Sequence, residues 1–245
     1  MNRKKIYFAS DFHLGSPNII ESRIREKKII SWLNLIEKDA KAIYLLGDVF
    51  DFWFEYQKVV PKGFVRILGK LAQLCDNGIE IHYTIGNHDM WMNGYLEEEI
   101  GLKIHYEEFI INENNQQIFI GHGDGLGKGD YSYKLLKKIF SSSICKWLFS
   151  RLHPNFGINL GQKWSSTSRL NENEKTSPNK EILVGYCQEQ QKKNPVDYYI
   201  FGHRHLPLNI KIDERCQYIN LGDWISNFTY AVYCDEKIEL KKFPK

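Results

Sequence analysis

Short motifs that contain aspartate, histidine or asparagine recur along the chain, and each follows a run of apolar residues. The motifs are SDFHLG, GDVFD, GNHD, GHGD and GHRH. Imidazole nitrogens and carboxylate or amide oxygens are side-chain groups that bind divalent metal ions. The motifs therefore predict a set of metal ligands, namely Asp11, His13, Asp48, Asn87, His122, His203 and His205.

The apolar runs before these motifs predict the elements that position them. The runs are IYFAS (6–10), AIYLL (42–46), IHYTI (81–85), QIFI (117–120) and YYIF (198–201). Each is short and rich in β-branched or aromatic residues, which is typical of a strand. Between the first three runs, residues 19–40 and 63–78 have helical spacing, and the second stretch ends in Asn-Gly, a typical carboxyl cap. This alternation predicts an α/β layered fold, in which the ligands meet beyond the carboxyl ends of the strands.

Seven ligands are enough for two divalent ions if one carboxylate is shared, and Asp48 is the natural bridge. The two ligands of the first motif would form one site with one of the last histidines, while Asn87 and His122 would form the other site with the second. Nitrogen and oxygen ligands without thiolate suit Mn, Zn or Fe. Two such ions hold a phosphate ester, supply hydroxide near neutral pH and stabilise the entering and leaving oxygens. The sequence therefore predicts hydrolysis of a phosphoester or phosphoanhydride.

The composition limits the class of protein further. The 245 residues are 42% apolar, which is enough for a packed core. Lys and Arg outnumber Asp and Glu by only 33 to 30, so charge alone gives no reason to expect a nucleic-acid partner. Five cysteines without a CxxC pair suggest neither a disulfide framework nor a zinc ribbon, and favour a cytoplasmic location. Without an apolar window long enough for a membrane span, we expect a soluble protein or one that lies on a membrane surface.

Two further regions have patterns of their own. Residues 206–242 contain closely spaced strand candidates, which predict an antiparallel end to the sheet system. Residues 126–180 mix large apolar and basic residues, and we interpret them as a helical lid insertion within a single domain, residues 1–245. For the stretch 131–164 two interpretations stay open: ordinary amphipathic helices packed on the body, or a surface suited to a membrane or an acyl chain.

In their order, the motifs DxH, GDxxD, GNHD, GH and GHxH resemble those of the calcineurin-like metallophosphoesterases. The resemblance implies an α/β fold, a four-layer β-sandwich flanked by helices, and two divalent ions, Mn²⁺ in the first place and Zn²⁺ or Fe²⁺ as alternatives. It assigns His88 and Asp51 to a pair beside the ions, in which the histidine contacts the phosphate or protonates a leaving group. The implied ion sites are Asp11 with His13 and His205, and Asn87 with His122 and His203, bridged by Asp48.

The stretches GDVFDFW, GHGDGLGKGDYSY and LGDW are similar to those of one branch, the UDP-2,3-diacylglucosamine diphosphatases of lipid A biosynthesis. That branch releases UMP and a diacylated glucosamine 1-phosphate at the inner face of the inner membrane. The resemblance implies a nucleotide-sugar lipid substrate and a peripheral membrane contact. It implies these substrate-binding residues: Asn87, His88, Trp53, Asp130, Tyr133, Ser168, Lys175 and His203. Two positions depart from the branch, Glu172 in place of a neutral polar residue and His88 in place of an arginine.

Other functions are compatible with the same ligands. A metallophosphodiesterase or nucleotide pyrophosphatase with a soluble substrate would make the insertion dispensable. A nuclease is disfavoured because the chain has no strong basic excess. A binding scaffold, like the retromer subunit that keeps this fold with a degraded site, is disfavoured because the ligand set is complete. The sequence does not indicate the oligomeric state.

Overall fold

A computed structural model of the protein describes residues 3–127, 131–175 and 181–244. All five predicted strands are present, as β1, β2, β3, β6 and β7, and both predicted helices are present, as α1 and α2. In chain order the elements are β1 (Lys5–Ala9), α1 (Ile19–Ile36), β2 (Ala40–Leu46), α2 (Val65–Asp76), β3 (Glu80–Thr84), α3 (Tyr95–Glu98), β4 (Lys103–His105), β5 (Phe109–Glu113), β6 (Gln116–Ile120), α4 (Tyr131–Phe140), α5 (Ser143–Ser150), α6 (Pro154–Lys175), α7 (Ile182–Gln191), β7 (Tyr198–Phe201), β8 (Pro207–Lys211), β9 (Gln217–Leu221), β10 (Thr229–Cys234) and β11 (Lys237–Lys242).

The strands form two sheets that pack face to face. One sheet has the order β11-β10-β1-β2-β3-β4 and the other has the order β5-β6-β7-β9-β8. Alternate side chains of both sheets fill the space between them, among them Phe8 and Tyr44 from the first and Ile120 and Ile200 from the second. Helices α1 and α2 cover the outer face of the first sheet, and α7 covers the outer face of the second. The predicted four-layer α/β fold is therefore confirmed.

Three details differ from the sequence prediction. Helix α1 ends at Ile36 and β2 already begins at Ala40, so the helical spacing up to residue 40 overran the turn between them. The end of the chain is not purely antiparallel, because β9 pairs in parallel with β7 as well as antiparallel with β8. Strands β4 and β5 were not predicted; one has only three residues, and the other is a partly exposed strand at a sheet edge.

Helices α4, α5 and α6 stand between β6 and α7, and residues 131–175 are called the insertion below. Phe149 of α5 packs against the segments that follow β2 and β3, with ring centroids 4.7 Å from Phe54 and 4.6 Å from Trp91. The indole of Trp91 donates a hydrogen bond to the Phe140 carbonyl at the end of α4, over 2.8 Å. These aromatic contacts hold the insertion over the loops that carry the second and third motifs.

Candidate metal centre

The five strand ends bring the predicted ligands to one place. β1, β2 and β3 run in parallel in the first sheet, and β6 and β7 run in parallel in the second. Their carboxyl ends lie at the same edge of the sandwich, so the motifs that follow them converge there. Two glycines make the approach possible: a Cβ at Gly47 would overlap the His122 imidazole, and a Cβ at Gly86 would overlap the Asp48 carboxylate.

One group of ligand atoms surrounds the end of β1. Asp11 Oδ1 lies 3.1 Å from His205 Nε2, and His13 Nε2 lies 3.1 Å from the same nitrogen. His13 Nε2 is also 3.8 Å from Asp11 Oδ1 and 3.7 Å from Asp48 Oδ2. Asp11 and His13 are fully buried, and His205 is partly exposed. These four side chains face a common point.

A second group of ligand atoms lies on the other side of Asp48. Asn87 Oδ1 is 3.0 Å from His122 Nε2 and 3.1 Å from His203 Nδ1. Asp48 Oδ2 is 3.4 Å from the same His122 nitrogen, so one carboxylate oxygen borders both groups. The backbone carbonyl of Leu46 accepts a hydrogen bond from His122 Nδ1 over 2.8 Å. Because that bond places the proton on Nδ1, the Nε2 lone pair points to the ligand group.

These distances fit divalent metal ions. Ligand atoms about 2.1 Å from one ion are separated by about 3.0–3.4 Å in tetrahedral or octahedral coordination, which matches most of the separations in both groups. Nitrogen atoms of two imidazoles that face each other at 3.1 Å, as in His13 and His205, are stabilised when a cation lies between them. The set of seven ligands is therefore suited to two ions that share Asp48, as the sequence predicts.

The ligand backbone is strained. Five of the seven ligands have positive φ angles, a conformation that residues other than glycine rarely adopt. Each such residue costs about 1–3 kcal/mol and persists only where the surrounding structure enforces it. Strain of this kind concentrates at functional sites. The angles are 55° at Asp11, 44° at His13, 54° at Asp48, 65° at His203 and 53° at His205.

Charges of both signs stabilise each other in this buried cluster. Burial alone would raise the pKa of the Asp48 carboxyl, but attraction to His122 and His88 holds this pKa well below its usual range. Burial would lower the pKa of His122, yet the attraction of Asp48 raises it well above its usual range, so a metal ion must displace the Nε2 proton before this nitrogen can bind it. Asp48 is therefore an anion at neutral pH, as a bridging ligand must be.

His88 and Asp51 are close to the centre, but their contacts differ from the predicted pairing. His88 Nε2 is 4.0 Å from Asp48 Oδ2, while His88 Nδ1 is 3.1 Å from the backbone oxygen of Asp51. The Asp51 carboxylate lies 3.3 Å from Nδ1 of the metal ligand His13 and forms an ion pair with Arg169 of α6. A role of the Asp51 carboxylate in orienting His88 therefore stays a prediction.

A cavity of about 220 Å³ opens beside Asn87 and His88. Its wall is mainly apolar and lies between the insertion and the segments after β2 and β3. The polar residues Lys137, Ser165 and Ser168 stand among the apolar ones. The large apolar side chains that line it are Phe52, Trp53, Met90, Trp91, Leu136, Phe140, Phe149, Leu160 and Trp164.

The remaining predicted substrate-binding residues have different positions. Trp53 borders the cavity, but its ring is buried, stacks 4.3 Å from Phe50 and donates a hydrogen bond to Glu55 over 3.0 Å. Tyr133 belongs to α4 and Lys175 to α6, but their side chains lie outside the described part of the structure, as does the whole of Asp130. The contributions of these residues to binding stay predictions.

The structure also reveals supporting residues that the sequence did not indicate. The buried carboxylate of Asp89 accepts hydrogen bonds from the backbone N–H of Gly86 (2.8 Å) and of Phe50 (3.3 Å), and from the Tyr83 hydroxyl. It thereby joins the loops after β2 and β3. Its place in the GNHD motif is the sequence feature from which this role could have been predicted. Asp124, in the GHGD motif, forms an ion pair with Lys137 of α4 over 2.7 Å. This pair connects the insertion to the loop that carries His122.

Comparisons with known proteins find similar sequences and structures. A model of the calcineurin-like phosphoesterase family matches residues 4–207, which include all five motifs. A UDP-2,3-diacylglucosamine hydrolase of Porphyromonas gingivalis is 38% identical over 94% of this chain and 94% of that protein. A protein of the same name from Shewanella baltica is 24% identical over 97% of this chain and 96% of that protein. A solved archaeal phosphodiesterase is 15% identical over 97% of this chain and 98% of that chain, with a TM-score of 0.49.

The family model and the 38% identical relative each cover most of the chain. The matched family is one of metal-dependent phosphoesterases, and the buried histidine and aspartate cluster can hold metal ions. The chain therefore belongs to the calcineurin-like phosphoesterase family.

Proposed function

We propose that the protein hydrolyses the pyrophosphate bond of UDP-2,3-diacylglucosamine, which yields UMP and 2,3-diacylglucosamine 1-phosphate. The observation that carries this proposal is the apolar cavity that opens beside Asn87 and His88, at the edge of the candidate metal centre. A water-soluble substrate gains little from such a cavity, whereas an acyl chain is stabilised by about 0.8 kcal/mol for each buried CH₂ group. The 38% identical relative, a UDP-2,3-diacylglucosamine hydrolase, supports the same substrate.

The chemistry follows from the ligand geometry. Two divalent ions, for which we propose Mn²⁺, would supply Lewis-acid activation of water and neutralise charge on the phosphates. Asp11, His13 and His205 would hold one ion, and Asp48 would bridge it to the second. Asn87, His122 and His203 would hold that second ion.

His88 has a separate role in the proposed mechanism. The carbonyl of Asp51 can only accept, so the His88 Nδ1–H donates to it and Nε2 faces the centre. In its protonated form, the imidazole donates from Nε2 to an oxygen of the nucleotide-side phosphate, where attack takes place. The oxygen of a water molecule forms a bond to this phosphorus and the water gives up a proton, while the phosphorus–oxygen bond to the lipid-side phosphate breaks. That phosphate leaves with the electron pair as 2,3-diacylglucosamine 1-phosphate, and the other product is UMP.

The substrate would span the centre and the insertion. Asn87, His88 and His203 would contact its phosphates, and Ser168, which borders the cavity, would contact the sugar. We propose the same binding role for Asp130, Tyr133 and Lys175 because they match the positions of substrate contacts in that branch. Trp53 would support the cavity wall from behind, since its ring is buried.

We also propose that the insertion contacts a membrane surface, at the cytoplasmic face of the membrane that contains the lipid. Large apolar side chains on its helices are exposed beside basic residues, which suits the headgroup boundary of a bilayer. No helix within the described residues combines the length and apolar character that a membrane span needs. The exposed apolar residues are Tyr131, Leu135, Ile139, Ile144, Trp147, Leu148, Phe156, Leu160 and Trp164.

An assay of the Mn²⁺-loaded protein on UDP-2,3-diacylglucosamine tests the proposal. A panel of soluble compounds should be measured beside it, including UDP-glucosamine without acyl chains, cyclic nucleotides and a dinucleotide. We expect UMP release from the diacylated substrate at a kcat/KM at least about 100-fold above that of any soluble compound, because acyl burial contributes several kcal/mol. Efficient turnover of a soluble diester together with no UMP from the diacylated substrate would refute the lipid assignment.

A further inference from the structure

Helix α6 packs closely against the segment that carries the second motif. Gly157, Gly161, Ser165 and Arg169 are four residues apart along α6, so they share one face of the helix. A Cβ at Gly161 would overlap the Phe52 ring, and a Cβ at Gly157 would overlap the Tyr56 hydroxyl. This close packing brings the next two residues of the same face to the metal centre.

The first contact that α6 makes with the centre is between Ser165 and His88. The Ser165 hydroxyl lies 2.7 Å from His88 Nδ1, and Ser165 is almost completely buried. The backbone oxygen of Asp51 lies 3.1 Å from the same nitrogen. With its Nδ1 edge held on two sides, the imidazole presents Nε2 to Asp48 at 4.0 Å.

The second contact, one turn further along α6, runs through Asp51. The Arg169 guanidinium pairs with the Asp51 carboxylate, and both side chains are mostly buried, with 16% and 7% of their surfaces exposed. The same carboxylate oxygen, Oδ1, is 3.3 Å from Nδ1 of His13. This contact lacks the alignment of a hydrogen bond, and the charge of the carboxylate biases the orientation of the metal-binding imidazole.

We propose that α6 supplies two positioning residues to the metal centre: Arg169, which acts on the ligand His13 through Asp51, and Ser165, which acts on His88. Helix α6, which lines the apolar cavity, then also positions a metal ligand and His88 at the metal centre. The inference rests on the metal centre of the family and not on the lipid substrate, so a small diester can test it.

A structural role alone gives a different expectation. An ion pair that only fastens α6 would change the melting temperature and the affinity for a substrate bound under the helix, and would leave the ligand field of the metal unchanged. A pair that positions His13 changes the metal affinity and kcat on any substrate. The two cases therefore differ in readouts that do not involve the lipid.

The experiment compares Arg169→Gln, Arg169→Lys and Ser165→Ala with the unsubstituted protein. Lys163→Gln is the matched control, since Lys163 is an exposed residue of the same helix. We would measure Mn²⁺ affinity by calorimetry, the visible spectrum of the Co²⁺-loaded protein, and kcat and KM on bis(p-nitrophenyl) phosphate. Removal of a partner that orients a metal ligand typically costs 10–100-fold in affinity or activity.

We expect Arg169→Gln to weaken Mn²⁺ binding about 10-fold or more, to lower kcat about 10–100-fold with little change in KM, and to shift the Co²⁺ spectrum. Arg169→Lys should recover part of this loss, because an ammonium group keeps the charge but not the paired geometry. Ser165→Ala should lower kcat without changing the Co²⁺ spectrum. The control Lys163→Gln should change neither kcat nor the Co²⁺ spectrum.

Unchanged Mn²⁺ affinity, Co²⁺ spectrum and kcat in Arg169→Gln would overturn the proposal for Arg169. Should that variant misfold, Asp51→Asn with and without Arg169→Lys gives an independent test. Additive effects of these two substitutions on kcat would also contradict the proposal, because residues that act in one chain are expected to be non-additive. None of these outcomes depends on whether UDP-2,3-diacylglucosamine is hydrolysed.

Discussion

The substitution Phe140→Ala separates the proposed lipid binding from the chemistry at the metal centre. Phe140 ends α4 and lines the cavity. Its ring centroid is 4.8 Å from that of Trp164 and 5.8 Å from that of Trp91, so it bridges the insertion to the segment after β3. Aromatic pairs at such distances contribute about 0.5–1.5 kcal/mol each beyond the area they bury. Loss of both pairs therefore removes roughly 1–3 kcal/mol from the cavity wall.

The expected effect on catalysis depends on the substrate. Since about 1.4 kcal/mol corresponds to a factor of ten, kcat/KM on UDP-2,3-diacylglucosamine should fall about 5–150-fold. On bis(p-nitrophenyl) phosphate it should change by less than about twofold, because Phe140 makes no contact with the ligands in the described structure. The assay is a pair of steady-state measurements on the Mn²⁺-loaded protein, with the lipid presented in detergent micelles.

Ser141→Ala is the control for this experiment. Ser141 directly follows Phe140, is exposed and does not line the cavity. Its truncation should leave both activities within about twofold. Equal losses on both substrates in Phe140→Ala would show that the ring supports the metal centre instead of the lipid. Unchanged activity on both substrates would contradict binding of the acyl chains in this cavity.

The metal centre, the insertion and the fold should each respond to a defined change. Asp48→Asn should lower kcat on every substrate by more than about 100-fold and reduce the bound Mn²⁺ measured by elemental analysis, because the bridging carboxylate borders both ligand groups. Chelation with EDTA should abolish activity and lower the melting temperature; Mn²⁺ at 100 times its Kd should restore activity and add about 2.7 kcal/mol to the free energy of unfolding. Asp124→Asn should speed proteolysis of the insertion and raise KM for the lipid, since it removes the ion pair to Lys137. Burial and then the nearby His82 lower the pKa of His105 to about 4; its neutral form therefore stabilises the fold above about pH 6.5, and this contribution, about 1 kcal/mol after allowance for partial exposure, is lost as the pH falls towards 4. Urea unfolding at pH 7 and pH 5 should show a smaller acid loss in His105→Gln, and an equal loss would contradict the assignment.

The ligands could be found in the sequence because each stands immediately after an apolar strand. A strand followed by a metal-binding side chain, with a glycine between them in four of the five motifs, is a local pattern, and the parallel order of the strands brings these patterns together. The four layers were implied by the family resemblance, whereas this local pattern predicted only a layered α/β fold. The local pattern did not predict the parallel pairing of β9 with β7, because no feature of either segment indicates which strand it pairs with.

The partners of the ligands could not be found in this way. The contact between Asp51 and Arg169 spans 118 residues, and Arg169 lies in a helix whose position depends on how the insertion packs. The sequence resemblance pairs Asp51 with His88, and this role stays a prediction; in the structure the backbone oxygen of Asp51 contacts His88, and its carboxylate contacts His13 and Arg169. The carboxylate has the second contact because α6 places a cation beside it, and a buried anion is stabilised by the nearest positive charge.

The position of α6 links substrate binding to the metal centre. Gly161 and Trp164 of this helix line the apolar cavity, while Ser165 and Arg169 contact His88 and Asp51 on the rim of the centre. A substrate that fits beneath α6 leaves both contacts in place, whereas one that lifts the helix separates Arg169 from Asp51. Recognition of the acyl chains would then be expressed in kcat as well as in KM, because a chain that lifts α6 releases the ligand His13 from its orientation.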